Sequence, residues 1–496
     1  MLNRIKDTLS QIPLFLILIP FYVVLHLETV FHHQINYWFA LVQLAIMGLA
    51  SIAFIIIGRL LTSKKENACI IALLLMMPWF YGGITKNVLE KKFPDLFFSS
   101  YLFLLPFVLI LLCWIIYKLI KYNGTTKRLY LFINCLWIIF ILLDTITIIL
   151  QDAGRNRLVK KYAVDIAVPV ISDSLKPDIY YIIFDSYSSD KILKEMGSDN
   201  QEIEDKLVAN GFRVIAGSSS NYNLTPFSIG STLNMKYLPE ANTEKKYLLD
   251  EYLPATNIVK YNGLLPWLEK QGYVFNNLSF FDFDHHPATI PTHDIWDIED
   301  IFLQQNTGLK IYKDLFWNFK LHSLNDAQKL QSAIDKRDRY DDSVYSLLLT
   351  SSTEKKSRPK FVYAHFFMPH IPNSRDSNGL PIPVNTNITV DEEIKGYCNE
   401  IRFVNKRIET ISNSLVRNSK RPMVIILQGD HGYRFYNDEK EADEFPNFSA
   451  VYFSNKNYSQ LTDTLSNVNL FKVVLNTWFK QNIPYDQTRH FFLHYK

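Results

Sequence analysis

Cysteine is scarce in this chain, with 4 among 496 residues. Three of the four, Cys69, Cys113 and Cys135, lie inside long apolar runs, which leaves Cys398 alone in the polar part of the sequence. A disulfide framework is therefore excluded in the polar part, and the lack of any CxxC pair excludes a cysteine-rich zinc pattern. We expect Cys398 to be a small buried hydrophobic side chain.

A strong charge of either sign is also missing. The chain has 52 Lys and Arg against 49 Asp and Glu, which gives a formal net charge of +3. No stretch combines clustered basic residues with interleaved aromatic residues. The sequence therefore gives no reason to expect nucleic acid as a partner.

Long apolar runs, by contrast, dominate the first 150 residues. Five of them are long enough to cross a bilayer, at 12–31, 36–61, 68–86, 96–120 and 128–150. The third is the weakest, because it is short and interrupted by Pro78, Gly82 and Gly83. Five successive helices that are apolar on every side do not suit a soluble core, and four runs after the first argue against a cleaved signal peptide. Residues 1–150 are therefore predicted to form a transmembrane domain of five helices.

The distribution of Lys and Arg predicts the orientation of these helices. Basic residues flank the N-terminus and occupy the second and fourth loops, where they are Arg4, Lys6, Arg59, Lys64, Lys65, Lys118, Lys121, Lys127 and Arg128. The positive-inside rule assigns these segments to the cytoplasm, so five spans leave the polar half outside. The third loop departs from this pattern because it contains Lys86, Lys91 and Lys92.

Residues 151–177 are predicted to link the membrane half to the polar half. The segment begins with the basic residues Arg155, Arg157, Lys160 and Lys161. These residues suit an amphipathic helix that lies along anionic headgroups, and they suit a solvated linker equally well.

The polar half, 178–496, alternates apolar strands with amphipathic helices. Strands are predicted over Ile179–Phe184, Phe361–Phe367 and Met423–Gln428, with a shorter one in the stretch GFRVIAGSS. A helix before the last strand has one apolar face, formed by Tyr397, Ile401, Val404 and Ile408. This alternation is typical of an α/β domain with a central, largely parallel sheet.

Residue types that bind metals follow the three longer strands. Asp185 follows the first strand, His370 lies just beyond the second, and Asp430 and His431 follow the third. Ligands of such sheets bind beyond the carboxyl ends of the strands, so we expect these side chains at one edge. Taken singly, Asp185 would be explained by a turn. Taken together, carboxylates and a neutral imidazole suit a divalent metal, zinc or manganese in first place and magnesium or calcium in second.

Thr225 is the candidate nucleophile. In the stretch NLTPFSIGSTLNM it precedes Pro226, a residue that favours the first helical position and would make Thr225 the N-cap. The hydroxyl would then only cap a helix. Alternatively, free N–H groups at the helix start would receive a phosphate, and a metal at the threonine oxygen would generate an alkoxide. The residues alone leave both interpretations open.

Taken in chain order, these motifs resemble those of the alkaline phosphatase/sulfatase superfamily. The order is Asp185 after a strand, Thr225 at a helix start, HxxxxH from His365 to His370, and GDHG after a strand. Five spans ahead of an external catalytic domain resemble its membrane branch, which includes lipoteichoic acid synthases and phosphoethanolamine transferases. The resemblance implies an alkaline phosphatase-like fold for 178–496, in a multi-pass protein of the bacterial cytoplasmic membrane whose catalytic domain is extracytoplasmic.

The resemblance also implies roles for individual residues. The metal ligands that it implies are Asp185, Thr225, Asp430 and His431. Thr225 would in addition form a covalent intermediate. His370 would contact the transferred phosphoryl group or protonate the leaving oxygen, and His365 would be a second such contact or only a core residue.

Two features depart from the family pattern. Sulfatases mature a Cys or Ser in a C/S-x-P-x-R setting into formylglycine, whereas this chain has Thr225 there and no Arg after Ser228, which argues against arylsulfatase activity. The run FFDFDHHPATIPTHD matches no family position. Its acidic and histidine residues are Asp282, Asp284, His285, His286 and His293. They would serve a second metal, bind substrate through His285 and His286, or form a solvated loop.

The function implied by the resemblance is transfer of a phosphorylated head group, phosphoethanolamine or glycerol phosphate. The donor would be a phospholipid and the acceptor a glycan, lipid or polymer of the envelope, with a Thr225-linked intermediate. The same site would suit a phosphodiesterase or phosphatase that uses water. A third hypothesis is a non-catalytic protein that binds a glycan or supports envelope assembly. The sequence does not indicate the oligomeric state.

Overall fold

The computed structural model describes residues 2–31, 35, 37–93, 96–162, 166, 172–239, 241–247, 249–289, 326–354, 357–383, 385, 388–434 and 438–495. Among these, residues up to Gly154 form one compact unit and residues from Arg155 onward form a second. The division falls just after residue 150, the predicted end of the transmembrane domain.

The first unit is helical. Its helices are α1 (Leu2–Gln11), α2 (Phe15–Val30), α3 (Tyr37–Leu61), α4 (Lys65–Lys92), α5 (Tyr101–Ile120) and the part of α6 (Lys127–Tyr162) up to Gly154, with a 3-10 helix at Phe97–Ser99. The four helices α3 to α6 are long and apolar enough to cross a membrane. The long runs predicted at 36–61, 68–86, 96–120 and 128–150 are therefore confirmed as helices of spanning length.

The first predicted span, 12–31, is shorter than expected. Helix α2 has 16 residues and begins at Phe15, and it is bent by 89° relative to α1. Pro13 accounts for the break, because a proline disfavours helical backbone at the residue before it. The described part of the chain thus has four spanning helices, or five if α1 and α2 together make one bent span.

Two helices extend beyond the predicted boundaries. Helix α4 continues at both ends of the predicted 68–86 span and contains Pro78 without ending there. Helix α6 continues through the first part of the predicted 151–177 linker, as far as Tyr162. That part of the linker is therefore helical, and its placement along headgroups stays a prediction.

The second unit is built on a six-stranded sheet. Its strands are β1 (Asp178–Phe184), β2 (Arg213–Val214), β4 (Val274–Leu278), β5 (Lys360–Phe366), β6 (Met423–Gly429) and β7 (Ser449–Phe453), while β3 (Lys246–Tyr247) and β8 (His494–Tyr495) form a separate pair. The order is β2-β7-β6-β1-β5-β4. Strands β4, β5, β1 and β6 are parallel to one another, and β7 is antiparallel to both of its neighbours, β6 and the edge strand β2. The predicted α/β class with a largely parallel sheet is confirmed.

Helices surround this sheet in the second unit. They are α7 (Asp190–Glu195), α8 (Gln201–Ala209), α9 (Thr225–Asn234), α10 (Leu249–Lys260), α11 (Leu264–Lys270), α12 (Asp326–Thr353), α13 (Val390–Asn418) and α14 (Leu470–Phe479), with 3-10 helices at Asp438–Glu444 and Asn467–Asn469. A capping box between Thr389 and Glu392 begins α13. The predicted apolar face of α13 is buried, as are all residues of β5 and β6. The carboxyl ends of β1, β5 and β6 therefore emerge side by side from a buried sheet.

Candidate active site

The two acidic candidates lie at the same level of the sheet. In the parallel pairing of β1 with β6, Phe184 is opposite Gly429. Asp185 directly follows Phe184, and Asp430 directly follows Gly429. Register alone therefore brings the two carboxylates together beyond the carboxyl ends of adjacent strands.

Both glycines of the Gly-Asp-His-Gly stretch are required by close backbone approach. A Cβ added at Gly429 would lie 2.3 Å from the carbonyl oxygen of Tyr187, and one at Gly432 would lie 2.7 Å from that of Pro446. Neither oxygen is the mobile end of a side chain, so a larger residue would displace backbone. Gly429 thus lets the loop after β6 pack against the loop after β1, and Gly432 lets it pack against the segment that precedes β7.

One oxygen of Asp430 is fixed and the other is free. Asp430 Oδ1 accepts hydrogen bonds from the backbone N–H groups of Ser186 and His431, both at 2.9 Å. Asp430 Oδ2 is buried without a hydrogen-bond partner, as is Asp185 Oδ1. Burial of a carboxylate oxygen without a partner costs free energy. A cation bound between these two atoms would remove that cost.

A divalent metal fits this donor set. Ligand atoms of Asp185, Asp430 and His431, all buried, lie within 4.8 Å of one another. His431 Nε2 is 3.6 Å from Asp185 Oδ1 and 3.5 Å from Asp430 Oδ2. Burial, followed by the charge of Asp430, raises the pKa of Asp185 well above its usual range. A cation would remove the repulsion that causes the second part of this shift.

His431 is held in the form that can bind a metal. Its Nδ1 is 2.7 Å from the carbonyl oxygen of Gly432. That acceptor assigns the proton to Nδ1 and leaves a lone pair on Nε2. Burial and the neighbouring Arg434 guanidinium both lower the pKa of His431 well below its usual range, so the ring is neutral.

Thr225 faces His431 and does not cap its helix. The structure begins α9 at Thr225, with Leu224 as the N-cap and no side-chain cap. The expected N-cap is therefore wrong by one residue, because the proline occupies the second helical position. The Thr225 hydroxyl oxygen is buried and lies 3.5 Å from His431 Nε2. The capping interpretation of this hydroxyl is excluded.

The first turn of α9 offers fewer free N–H groups than expected. The N–H groups of Phe227 and Ser228 both donate to the carbonyl oxygen of Leu224, at 3.1 and 2.9 Å. Pro226 has no N–H group to donate. A phosphate at this helix start would therefore need donors from other parts of the site.

His365 lies in β5 and is fully buried. Its Nδ1 is 2.9 Å from the hydroxyl oxygen of Tyr363, while its Nε2 has no partner and is 4.0 Å from Asp185 Oδ2. Burial lowers the pKa of His365 to about 4, so the ring is neutral. The ring borders the carboxylate cluster, and its role there stays a prediction.

His370 reaches the site through a residue that the sequence analysis did not single out, Arg434. One Arg434 nitrogen, Nη1, is 3.2 Å from His370 Nε2, and the other, Nη2, is 2.8 Å from His431 Nε2. Burial, then Arg434 and Arg337, lower the pKa of His370 well below its usual range. The signal for Arg434 was present, because an arginine follows the Asp-His pair by three residues, and arginine is the preferred side chain for binding phosphate oxygens.

The 282–293 cluster has local partners. His286 Nε2 is 2.7 Å from Glu269 Oε1, and Asp282 accepts a hydrogen bond from the Ala288 N–H at 2.9 Å. His285 is 77% exposed in its side chain, and His293 lies outside the described residues. Among the described residues, the metal-compatible group contains none of this cluster. The hypothesis of a second metal there is unsupported, and substrate binding by His285 or His286 stays a prediction.

The arrangement is an α/β domain in which a buried hydroxyl lies beside two buried carboxylates and an imidazole that could hold a metal ion. The Sulfatase family model matches residues 177–491. Because this match covers well over half of the chain, the chain belongs to the sulfatase family. None of the curated proteins matches it.

Several solved structures are similar to this chain. The soluble domain of lipooligosaccharide phosphoethanolamine transferase A from Neisseria meningitidis is 13% identical, with a TM-score of 0.40, over 63% of this chain and 91% of that chain. The integral membrane protein of that name from the same organism is 11% identical, with a TM-score of 0.39, over 94% of each chain. Phosphonate monoester hydrolase from Silicibacter pomeroyi is 11% identical, with a TM-score of 0.36, over 62% of this chain and 74% of that chain. Similarities of this size do not establish an activity.

Proposed function

We propose that the protein is a metal-dependent transferase that moves a phosphorylated head group from a phospholipid to an envelope glycan, lipid or polymer. The head group is phosphoethanolamine or glycerol phosphate. The enzyme is a multi-pass protein of the bacterial cytoplasmic membrane, and its catalytic unit acts on the extracytoplasmic side, as the distribution of Lys and Arg predicts.

One observation carries the proposal. The Thr225 hydroxyl is buried, caps no helix and lies 3.5 Å from His431 Nε2. It is thus the available nucleophile next to the carboxylate cluster. Sulfatases of the formylglycine type need a Cys or Ser at this point, so the family membership of the chain does not make it a sulfatase by activity.

Asp185, Asp430, His431 and Thr225 would hold the metal. A bound divalent cation lowers the pKa of a hydroxyl that it contacts and offsets the charge that develops on phosphoryl oxygens. Two carboxylates and one imidazole suit zinc or manganese, and magnesium or calcium less well.

The reaction would have two steps with balanced protons. In the first, Thr225 Oγ1 forms a bond to phosphorus, and the bond from phosphorus to the diacylglycerol oxygen breaks. Thr225 loses one proton, and the leaving diacylglycerol oxygen gains one. In the second, the acceptor hydroxyl attacks phosphorus, loses its proton and releases Thr225, which regains one. Such a covalent intermediate divides one difficult displacement into two easier ones.

Arg434 and His370 would act on the phosphoryl group. The Arg434 guanidinium has donors only and no acceptor, so its two Nη atoms would bind phosphoryl oxygens once substrate replaces the imidazole contacts. His370 Nε2 carries a lone pair because its Nδ1 bonds the carbonyl oxygen of Ile371. The neutral ring would therefore act as the base that takes the acceptor proton.

Mass spectrometry of the peptide that contains Thr225 tests the proposal. The full chain in detergent, loaded with zinc or manganese, is incubated with vesicles of phosphatidylethanolamine or of phosphatidylglycerol. We expect a phosphoethanolamine or phosphoglycerol adduct on Thr225, which names the donor head group. The adduct should be absent from Thr225→Ala. It should persist in the matched variant Thr232→Ala, whose hydroxyl donates to the Ser228 carbonyl oxygen of the same helix.

The other outcomes identify the rivals. Lipid cleavage with water as the acceptor and no accumulated adduct would favour the phosphodiesterase. An unmodified peptide without lipid cleavage, in protein that retains its metal, would contradict both enzymes and favour the non-catalytic protein of envelope assembly.

A further inference from the structure

Two ionisable side chains meet between helices of the first unit. His26 Nδ1 in α2 is 3.0 Å from Asp144 Oδ2 in α6. Their side chains are 49% and 13% exposed. Ionisable residues inside spanning helices are rare and costly, and they commonly mark sites that bind or conduct something.

Helix lengths indicate how deep in the membrane the pair lies. The Lys64 ammonium bonds the carbonyl oxygen of Tyr122, so the basic ends of α4 and α6 share one face. At 1.5 Å per residue, Tyr81 is about 24 Å along α4 from Lys65, and Asp144 is about 26 Å along α6 from Lys127. The hydrocarbon core is roughly 30 Å thick. These groups therefore lie near the headgroups of the leaflet opposite the basic loops, which is the outer leaflet.

Aromatic rings surround the pair. The Tyr22 ring is stacked on His26 with centroids 5.4 Å apart, and it is 5.1 Å from the Trp137 ring. The Tyr81 ring is stacked on the Trp137 ring, with centroids 6.3 Å apart. A carboxylate beside the faces of Trp and Tyr rings is the chemistry that binds ammonium groups.

The Tyr81 hydroxyl makes no hydrogen bond within the described part of the protein. Its oxygen is buried, and its ring stacks on the Trp137 ring. A phenylalanine would pack equally well and avoid the cost of an unsatisfied hydroxyl. The Tyr81 and Tyr22 rings both pack on the Trp137 ring, and the Tyr22 ring stacks on His26, the partner of Asp144. A ligand with hydrogen-bond donors at this point would satisfy both the hydroxyl and the carboxylate.

We propose that Asp144, His26 and Tyr81 form a binding site for the primary ammonium headgroup of a phospholipid. Asp144 and the Tyr81 oxygen accept hydrogen bonds from the ammonium, which a quaternary ammonium cannot donate. A glycerol headgroup is disfavoured at this site, because it has no positive charge to neutralise the Asp144 carboxylate. The site is separate from Thr225, and it does not depend on the reaction proposed there.

A simpler role must be separated from this one. The His26–Asp144 contact also joins α2 to α6, and a purely structural pair would need no ligand. The two roles differ in what Tyr81→Phe does, because removal of an unpartnered hydroxyl breaks no contact within the protein. A structural pair predicts no change in lipid binding for that variant.

Native mass spectrometry of the full chain tests the site. The protein in detergent is exposed to equal amounts of phosphatidylethanolamine, phosphatidylcholine and phosphatidylglycerol, and the retained lipids are counted without any turnover. We expect phosphatidylethanolamine to be retained over the other two by about tenfold. Asp144→Asn should abolish this preference, and Tyr81→Phe should reduce it several-fold. The control Thr145→Val removes a hydroxyl that bonds only the Ile141 carbonyl oxygen of its own helix, and it should retain the preference.

Equal retention of the three lipids by the unaltered protein would overturn the proposal. So would an unchanged preference in Tyr81→Phe, the variant that remains informative if Asp144→Asn does not fold. Because no turnover is measured, loss of the Thr225 adduct in the earlier experiment would leave this result unaffected.

Discussion

The side-chain amide of Asn223 pairs with the backbone of Leu493, 270 residues away, in both directions. The Leu493 N–H donates to Asn223 Oδ1 at 2.8 Å, and Asn223 Nδ2 donates to the Leu493 carbonyl oxygen at 3.2 Å. The same segment stacks Phe491 on Tyr222, with centroids 5.2 Å apart. Residues 489–495 therefore hold the loop that precedes Thr225.

Asn223→Ala should lower turnover more than it lowers metal binding. The substitution removes both contacts to Leu493, together with the hydrogen bond that Asn223 Nδ2 donates to Glu444 Oε2 at 3.1 Å. The Thr225 loop can then shift, and a displacement of about 1 Å can cost roughly 100-fold in rate. We expect kcat to fall by about 10- to 100-fold while bound metal, measured by elemental analysis, stays near one equivalent per site. Asn476→Ala is the matched control, because Asn476 makes the same two-way pairing with Ile483. Equal losses in both variants would contradict a specific role for Asn223.

Gly429→Ala should disrupt the site through the backbone. The added Cβ meets the Tyr187 carbonyl oxygen at 2.3 Å, so the loops after β1 and β6 must separate. We expect a loss of about 1–3 kcal/mol in the free energy of unfolding and loss of metal binding. Gly154→Ala is the control, because a Cβ there meets nothing within 4 Å. Thermal unfolding of the two variants side by side would decide the point, and an unchanged midpoint for Gly429→Ala would argue against it.

Asp430→Asn should change stability in opposite directions with and without metal. Without metal, the substitution removes one of two close buried carboxylates, whose repulsion contributes to the raised pKa of Asp185. The melting temperature of the chelated variant should therefore exceed that of the chelated parent protein. With metal added, the order should reverse, because the variant binds metal at least about tenfold more weakly and gains less from binding. A parallel shift under both conditions would mean that the carboxylates hold no metal.

Arg434→Lys should impair the chemical step. Lysine keeps the positive charge but loses the two-pronged geometry that binds two phosphoryl oxygens. Removal of one preorganised donor commonly costs about 100- to 1,000-fold in kcat, and we expect a loss of that order with little change in metal content. Arg402→Lys is the control, since Arg402 bonds Asn399 on α13. Single-turnover rates of adduct formation would measure both, and a change confined to KM would contradict this role.

Asp341 should make stability depend on pH. Its carboxylate accepts the N–H groups of Phe367 and Met368 at the end of β5, and burial raises its pKa from 3.8 to about 7. The unfolded chain loses this proton near pH 4 and the folded chain near pH 7. The stabilising effect of the protonated form is therefore complete below pH 4 and is lost as the pH rises to 7, by about 4 kcal/mol. Relative to Asp341→Asn, the free energy of unfolding in denaturant titrations should fall over this range. Parallel pH profiles would show that Asp341 is already ionised.

The sequence predicted the parts of the fold that repeat a strong pattern. The three strands that carry the site appear within one residue of the expected bounds, because each is a continuous apolar run. Strand β4 was missed, since its sequence VFNNL has two asparagines and lacks that pattern. Strand β7, SAVYF, was missed as well, and its antiparallel pairing to β6 depends on contacts that chain order does not reveal.

The site was predicted in its residue types more than in its geometry. Asp185, Asp430 and His431 were identified because each follows a strand, and parallel strands share an edge. Arg434 was not predicted as a site residue, because it does not directly follow a strand. Its contacts to His370 and His431 form only when the two loops pack together. The sequence also put the helix start one residue late, a common error where proline can occupy either of two positions.

The pairing of Asn223 with Leu493 makes the loop before Thr225 depend on a segment near the other end of the second unit. Strand β1 needs β5 and β6, which come much later in the chain, and the Thr225 loop needs a segment later still. Contacts between such distant residues form slowly. A chain that is still being synthesised therefore lacks both the completed sheet and the contacts that fix the Thr225 loop. For the proposed transfer reaction, we therefore expect full activity only after residues near 493 have been synthesised and have folded against the Thr225 loop.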